Sequence, residues 1–522
     1  MALIRHTAAV SALTFSSRIF GVVRDACIAM VIGTSAAGDA FFIAFRPFDL
    51  LRKMAGDGIF SISFVPPFSR HVRAGRQDEA VAMVTGALGM LSVVSAVLIS
   101  AGWLLAPWVL HVMAPGFAPG GDQFALTLML LKIMMPYVWV ILLISLCMGV
   151  LNSLGNFWVP GATPLIFNLA VILFALTVAG SMNMPVAGLA MGVIVGGFLQ
   201  LAFQIPFVLR QGLFKPARFV WGHPEVTDSI RKMIPCMVGA APYQVNMLVI
   251  TFLASFLVDG SISYLYFADR LIQFPVALIA VSLSTVLLPF FAGKAAAGEM
   301  RQVNEVFDTG IRLAVFVAIP AMAGLMILNQ PIVRVLFGRG AFDMAAVTRT
   351  AECLLYLAPG MGAFIGARLF VTLHYALNST RHPFYAGLLS MGINLVCAPI
   401  LMSLMGVKGL ALGVTVSSMA GFFFLMYHPP AGMTLSKSGI LVSGCRALFL
   451  SAIMIFPIHR VKQLVLFDHE SSLLFGTKVL ACVMLGMAIV WIGAKILRFP
   501  ELTMIRQWVK HRIEKEEFHG PH

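Results

Sequence analysis

Long apolar stretches recur along the whole sequence, and only short polar segments separate them. A helix of about 20 mostly apolar residues is long enough to cross the hydrocarbon core of a membrane. Hydropathy places about fourteen such stretches, at roughly 8–32, 39–66, 80–110, 123–151, 157–180, 185–209, 233–257, 263–291, 308–329, 346–377, 383–404, 408–428, 438–458 and 472–495. This pattern predicts an all-α polytopic membrane protein.

The composition supports the same class. Only 11% of the residues are charged and 59% are hydrophobic, whereas an average soluble domain carries about 25% charged residues. The net charge is +14, but nucleic-acid binders collect Lys and Arg on one face of a soluble domain. The sequence contains no such domain, so nucleic acid is excluded as a partner. The seven cysteines lie in apolar stretches without metal-ligand spacing, which predicts core residues and no metal site.

Positive residues collect in the loops of one side, which the positive-inside rule assigns to the cytoplasm. These residues are Arg5, Arg70, Arg73, Arg76, Arg210, Lys215, Arg218, Arg231, Lys232, Lys294, Arg301, Arg498, Arg506, Lys510, Arg512 and Lys515. Both termini are then cytoplasmic, as an even number of spans requires. The segment 500–518 has an apolar stripe beside a basic face, which favours a helix on the inner membrane surface over a solvated tail.

The sequence repeats itself at a nearly constant shift. Residues 188–193 (GLAMGV) recur at 409–414 (GLALGV), a shift of 221, and Gly116 matches Gly340 at 224. Residues 151–153 (LNS) recur at 377–379, a shift of 226. The repeat predicts two six-helix lobes of the same orientation, an arrangement typical of transporters that rock two lobes around a central site.

The repeat also sets the predicted domain organisation. The expected parts are an N-terminal lobe at 1–215, a C-terminal lobe at 216–430, two additional transmembrane helices at 431–498 and a basic amphipathic cytoplasmic tail at 499–522. The sequence contains no GxxxxGK[ST] phosphate loop, no HExxH and no GxSxG motif. We therefore expect a transporter and not an enzyme.

Several ionisable residues fall inside predicted spans, where each costs at least about 2.5–3.5 kcal/mol and must face protein or water. They include Arg18, Arg24, Asp25, Asp39, Arg46, Asp49, Arg52, Lys53, Asp269, Arg270 and Arg368. Arg18 and Asp25 are seven residues apart, so they share a helical face and are expected to form an ion pair. Arginines outnumber carboxylates in this set. Because the planar guanidinium donates paired hydrogen bonds to phosphate oxygens, the expected ligand carries phosphate.

At these charged residues the sequence resembles the MurJ (MviN) lipid II flippases of the MOP exporter superfamily, which are related in fold to MATE transporters. The matching blocks, in family order, are 17–25 (SRIFGVVRD), 39–42 (DAFF), 50–52 (LLR), 64–66 (FVP), 114–117 (APGF), 266–271 (YFADRL) and 274–275 (FP). Two blocks depart from the family pattern. Residues 47–49 read PFD and move the proline of helix 2, and residues 375–383 (YALNSTRHP) differ around a possible ion site.

The resemblance implies a substrate site and a substrate. Its cavity arginines would be Arg18, Arg24, Arg52 and Arg270, with Asp39 and Asp25 as supporting carboxylates and Arg368 as a second-lobe cation. Asp269 is a further candidate, since a carboxylate beside Arg270 would partly neutralise the arginines. The substrate would be lipid II, whose polyprenyl tail would lie in a groove formed with the last two helices. No cofactor is expected, and the membrane potential or an ion gradient would supply the energy.

The resemblance also implies a place and a set of partners. We expect a monomer in the bacterial cytoplasmic membrane, in contact with membrane lipids and with cell-wall synthesis proteins. One alternative is another MOP-superfamily exporter of a lipid-linked oligosaccharide or a drug, although the arginine excess argues against a cationic drug. The other alternative is a membrane scaffold that transports nothing, which would leave the buried arginines unexplained.

Overall fold

The computed structural model describes residues 2–56, 59–212, 223–465 and 472–500, and every regular element in these ranges is helical. The all-α class is therefore confirmed. The α-helices are α1 (Ala2–Ile32), α2 (Ala36–Gly56), α3 (Ile59–Arg73), α4 (Gln77–Met113), α5 (Asp122–Met134), α6 (Tyr137–Ser153), α7 (Trp158–Thr177), α8 (Pro185–Leu209), α9 (Pro224–Ala254), α10 (Ser261–Val276), α11 (Ser282–Ala296), α12 (Met300–Ile327), α13 (Asn329–Phe337), α14 (Met344–Leu357), α15 (Met361–Ala376), α16 (Arg381–Met405), α17 (Val407–Tyr427), α18 (Lys437–Val465) and α19 (Ser472–Ile496).

Eleven helical segments among the described residues are long and apolar enough to cross a membrane. They are Gln77–Met113, Asp122–Ser153, Trp158–Ser181, Pro185–Leu209, Ser261–Ala296, Met300–Ile327, Met344–Ala376, Arg381–Met405, Val407–Tyr427, Ser438–Leu464 and Leu473–Ile496. The other three predicted spans, 8–32, 39–66 and 233–257, also coincide with helices, namely α1, α2 with α3, and α9. The polytopic membrane class follows from this run of apolar helices.

The chain divides into two compact units. The first contains residues 1–263 together with 339–343. In it, α1 packs along α7, α2 packs on α5, and α9 packs on α3 and α4. The repeat assigns α9 to the second lobe, but the apolar side chains of its N-terminal part join the core around Phe64 and Phe68. Burial of this apolar surface groups α9 with the first unit.

Two glycines of the first unit allow loops to touch the ends of helices. A Cβ on Gly340 would lie 2.4 Å from the carbonyl oxygen of Met30 at the end of α1, and a Cβ on Gly116 would lie 2.0 Å from that of Ser255 at the end of α9. Hydrogen bonds fix both contacts, from the Ala341 amide to the Met30 oxygen at 2.9 Å and from the Gly116 amide to Ser255 Oγ at 3.1 Å. The segments that follow α1, α4, α9 and α13 therefore meet at one end of this unit.

The second unit contains residues 264–338 and 344–522. Its antiparallel pair α16 and α17 packs closely, since a Cβ on Gly409 would lie 2.0 Å from the carbonyl oxygen of Leu401. The two additional C-terminal helices are α18 and α19, which pack on each other, while α18 also lies along α12. The amphipathic tail predicted at 499–522 lies outside the described residues from position 501 onward.

Candidate functional site

Arg24 and Asp25 form a buried ion pair on α1. Arg24 donates from Nε and Nη2 to Asp25 Oδ1 at 3.0 and 2.7 Å, and the two residues are only 7% and 3% exposed. The predicted pair between Arg18 and Asp25 is wrong. Seven residues of helix rise by about 10 Å, and side chains lean toward the helix N-terminus, so Arg18 reaches away from Asp25. Arg18 is half-buried and joins no ion pair among the described side chains.

The second contact of Arg24 lies on α7, a helix without ionisable residues. Arg24 Nη1 donates to Asn168 Oδ1 at 3.1 Å, and Asn168 Nδ2 donates to the Ser17 carbonyl oxygen at 2.9 Å. The ring of the preceding residue, Phe167, has its centroid 5.9 Å from the guanidinium carbon of Arg24. Two adjacent residues of α7 therefore contact Arg24, Asn168 through its amide and Phe167 through the face of its ring.

Arg52 of α2 approaches the same ring. Its guanidinium carbon also lies 5.9 Å from the Phe167 centroid, so Arg24 and Arg52 are within twice that distance of each other. Asp49, which is buried, accepts from Arg52 Nη2 at 2.6 Å and from Lys53 Nζ at 2.9 Å. Spacings of three and four residues place these side chains on one helical face.

We call Arg24, Asp25, Asp49, Arg52 and Lys53 the first-unit cation cluster. Taken together, these five side chains carry three positive and two negative formal charges. Two of the cations are arginines, whose planar groups suit the oxygens of a phosphate. The arrangement can therefore hold an anion with several oxygen atoms.

Asp39 is placed elsewhere in the first unit and contacts no cation of the cluster. Its carboxylate accepts from the backbone amides of Gly260 and Ser263, both at 2.8 Å, and from Ser263 Oγ at 2.6 Å. These amides belong to the start of α10, where the first N–H groups of a helix lack partners within the helix. Asp39 thus serves as an acceptor for the first turn of α10.

The remaining predicted site residues lie in the second unit. Arg270 donates from Nη2 to the Tyr266 hydroxyl at 3.0 Å and from Nη1 to Gln273 Oε1 at 3.2 Å, and its guanidinium stacks 4.7 Å from the Tyr266 ring centroid. Gln273 in turn donates to Asp269. Hydrogen bonds link these four side chains along one face of α10. Arg368 of α15 is exposed and does not belong to this hydrogen-bonded group.

The structure adds residues that the search for charges overlooked. Asn168 and Phe167 were missed because neither is ionisable, although a buried amide in the middle of an apolar helix is itself an unusual feature. Asp49 was identified among the charges in the predicted spans and as a departure from the family pattern, but it was not among the expected substrate-site residues. In the structure it is the carboxylate that binds Arg52 and Lys53.

Comparisons with known proteins point to one family. The family model of the lipid II flippase MurJ matches residues 28–494. A probable lipid II flippase MurJ of Vibrio cholerae serotype O1 is 35% identical over 423 residues, which cover 78% of this chain and 79% of that protein. A probable lipid II flippase MurJ of Rhizobium tropici is 28% identical and covers 98% of this chain and 97% of its own length.

Solved structures show the same fold. A lipid II flippase MurJ in an inward closed conformation superposes with a TM-score of 0.78 at 23% identity, covering 94% of this chain and 99% of that one. An inward-facing multidrug resistance MATE family transporter of the MOP superfamily superposes with a TM-score of 0.67 at 11% identity, covering 85% and 99%. The MATE-like architecture that the sequence predicted is confirmed.

Proposed function

Because the chain belongs to the lipid II flippase MurJ family, we propose that it moves lipid II from the inner to the outer leaflet of the bacterial cytoplasmic membrane and holds the pyrophosphate on the first-unit cation cluster. The movement is by alternating access, with the sugar-peptide headgroup passing through a hydrated cavity. Lipid II and the surrounding membrane lipids are then its partners. The protein acts as a monomer beside the enzymes of cell-wall synthesis.

The main observation that supports this proposal is the hydrogen bonding of the Arg24 guanidinium. Its guanidinium has five N–H groups, of which one on Nε, one on Nη1 and one on Nη2 bond to Asp25 and Asn168. One N–H group on each terminal nitrogen is left for a further acceptor. A buried cation with two such donors, in a cluster of net positive charge, supports binding of a pyrophosphate.

Alternating access is proposed from the family and from the internal repeat, since two repeated lobes are typical of transporters that rock around a central site. With both termini in the cytoplasm, the segments that follow α1, α4, α9 and α13 lie on the outer side of the membrane. Within the first unit, Gly116 and Gly340 bring these segments into contact with the ends of α9 and α1.

The remaining elements of the proposal concern energy and the lipid tail. Moving each negative charge outward across a membrane that is 100 mV negative inside gains about 2.3 kcal/mol, so we propose that the potential or an ion gradient drives the cycle without a cofactor. The polyprenyl tail lies against α18 and α19. Arg18, Arg270, Asp269 and Arg368 remain proposed substrate-binding residues.

Reconstituted flipping of lipid II in liposomes tests the proposal. We expect transport by the unaltered protein, faster with an inside-negative potential, and loss of transport in the Arg24→Ala and Arg52→Ala variants. An excess of a lipid-linked oligosaccharide without peptide, or of a cationic drug, should compete weakly. Undiminished transport in both variants contradicts the phosphate site, and preferred transport of either competitor assigns the chain to another exporter of the superfamily.

A further inference from the structure

Asn168 connects a backbone carbonyl of α1 to the arginine that α1 contributes to the cluster. Its amide nitrogen donates to the Ser17 oxygen and its amide oxygen accepts from Arg24 Nη1. The residue is 5% exposed, so water does not replace either partner. The Ser17 carbonyl oxygen can only accept a hydrogen bond and Arg24 can only donate one, so a single orientation of the amide satisfies both. The side chain is therefore fixed at both ends.

We infer that Asn168 is a positioning residue for the substrate pyrophosphate, and that it acts by fixing the plane of the Arg24 guanidinium. This inference rests on the proposed function. Asp25 holds one edge of the guanidinium through Nε and Nη2, and Asn168 holds Nη1. Two fixed edges leave the plane no freedom to rotate, so the remaining N–H groups keep one direction toward the ligand.

The neutrality of Asn168 is as important as its geometry. A carboxylate at this position would also accept from Arg24 Nη1, but it would cancel the charge excess that attracts phosphate. It could not donate to the Ser17 carbonyl oxygen, which would instead face a second oxygen. The neighbouring Phe167 contacts Arg24 and Arg52 through its ring without adding charge.

The matched control is another buried amide that joins the same helix to a neighbour. Gln204 of α8 donates from Nε2 to Thr163 Oγ1 of α7 at 2.8 Å and is completely buried, and no hydrogen bond joins it to an arginine among the described side chains. Gln204→Leu removes one interhelical hydrogen bond of the same kind. It should lower stability and leave the affinity for lipid II unchanged.

The test is a double-mutant cycle on the full chain in nanodiscs, with the Kd for lipid II as the readout. Arg24→Ala and Asn168→Leu should each raise the Kd about tenfold or more. In the Arg24→Ala background, Asn168→Leu should change it by less than about twofold, because its only route to the ligand has been removed. Asn168→Asp, which keeps the bond to Arg24, should bind lipid II no better than Asn168→Leu.

The outcomes separate the two proposals. If Arg24→Ala leaves the Kd unchanged, the proposed phosphate site is wrong. If Arg24→Ala raises the Kd but Asn168→Leu does not, or if the two effects multiply, Asn168 only joins α1 to α7 and the inference fails. Should Asn168→Leu not fold, Asn168→Ala takes its place in the cycle, with the same expected and contradicting results.

Discussion

Asp25 and Asp39 are two carboxylates on consecutive helices, almost equally buried at 3% and 2% exposure, with different partners. Asp25 pairs with the guanidinium of Arg24 inside the cation cluster. Asp39 accepts from two backbone amides and one hydroxyl at the start of α10. The family resemblance implied the same supporting role in the substrate site for both. The difference shows that a buried charge in a membrane helix can serve only to hold the fold together. Its hydrogen-bond partners, and not its burial, decide its role.

The largest effect is expected from Asp39→Leu, which breaks one side of this comparison. Removal of the carboxylate leaves three buried donors without an acceptor, at a cost on the order of 1–3 kcal/mol each. We expect a large fall in the apparent unfolding temperature in detergent, and an unchanged Kd for lipid II in the protein that remains folded. The unfolding temperature of Asp39→Asn, which keeps one acceptor oxygen, should lie between those of Asp39→Leu and the unaltered protein. A normal unfolding temperature of Asp39→Leu together with weaker binding of lipid II would contradict this prediction and show that Asp39 belongs to the substrate site.

A smaller effect is expected where the loops touch the helix ends. In Gly116→Ala the new methyl group would meet the Ser255 carbonyl oxygen, and in Gly340→Ala it would meet that of Met30 while a positive φ of 58° adds strain. Such crowding costs about 1–3 kcal/mol. The unfolding temperature should fall in both variants without loss of lipid II affinity. Gly180→Ala is the control, since nothing lies within 4 Å of the position that its methyl group would occupy; an equal fall there would refute the close-contact explanation.

The smallest effect is expected within the cluster itself. Lys53 and Arg52 both pair with Asp49 and are similarly exposed, at 30% and 32% of their side chains, but Lys53 ends in a single ammonium group, whereas the guanidinium of Arg52 also approaches the Phe167 ring. Partly exposed pairs contribute about 0–1 kcal/mol. Lys53→Gln should therefore change the Kd for lipid II by less than about fivefold, and Arg52→Ala by more. The reverse order would show that charge alone, and not the arginine fork, selects the ligand.

Much of the fold could be predicted because hydropathy is a local property of the chain. The apolar helices, the two additional helices α18 and α19 and the unusual charges could all be identified from composition along the sequence. The partners of those charges could not. Asn168 lies 144 residues from Arg24 in the chain, and its place beside Arg24 depends on how α1 packs along α7.

The contact between Asp39 and Ser263 could not be predicted either, although the two residues are 224 positions apart, the same shift that relates Gly116 to Gly340. A constant shift relates positions along the sequence and carries no information on which of them touch. Periodicity therefore could not show that the carboxylate would accept hydrogen bonds at the start of a helix and not bind a substrate.

The central claim, that the first-unit cation cluster recognises pyrophosphate, is tested most directly by headgroup discrimination. The Kd values of the unaltered protein and of Arg24→Ala are measured for lipid II and for the same lipid with a monophosphate linkage. We predict that the unaltered protein binds lipid II about tenfold more tightly than the monophosphate lipid, and that Arg24→Ala reduces this ratio to about twofold or less. A ratio that is unchanged in Arg24→Ala would contradict the claim.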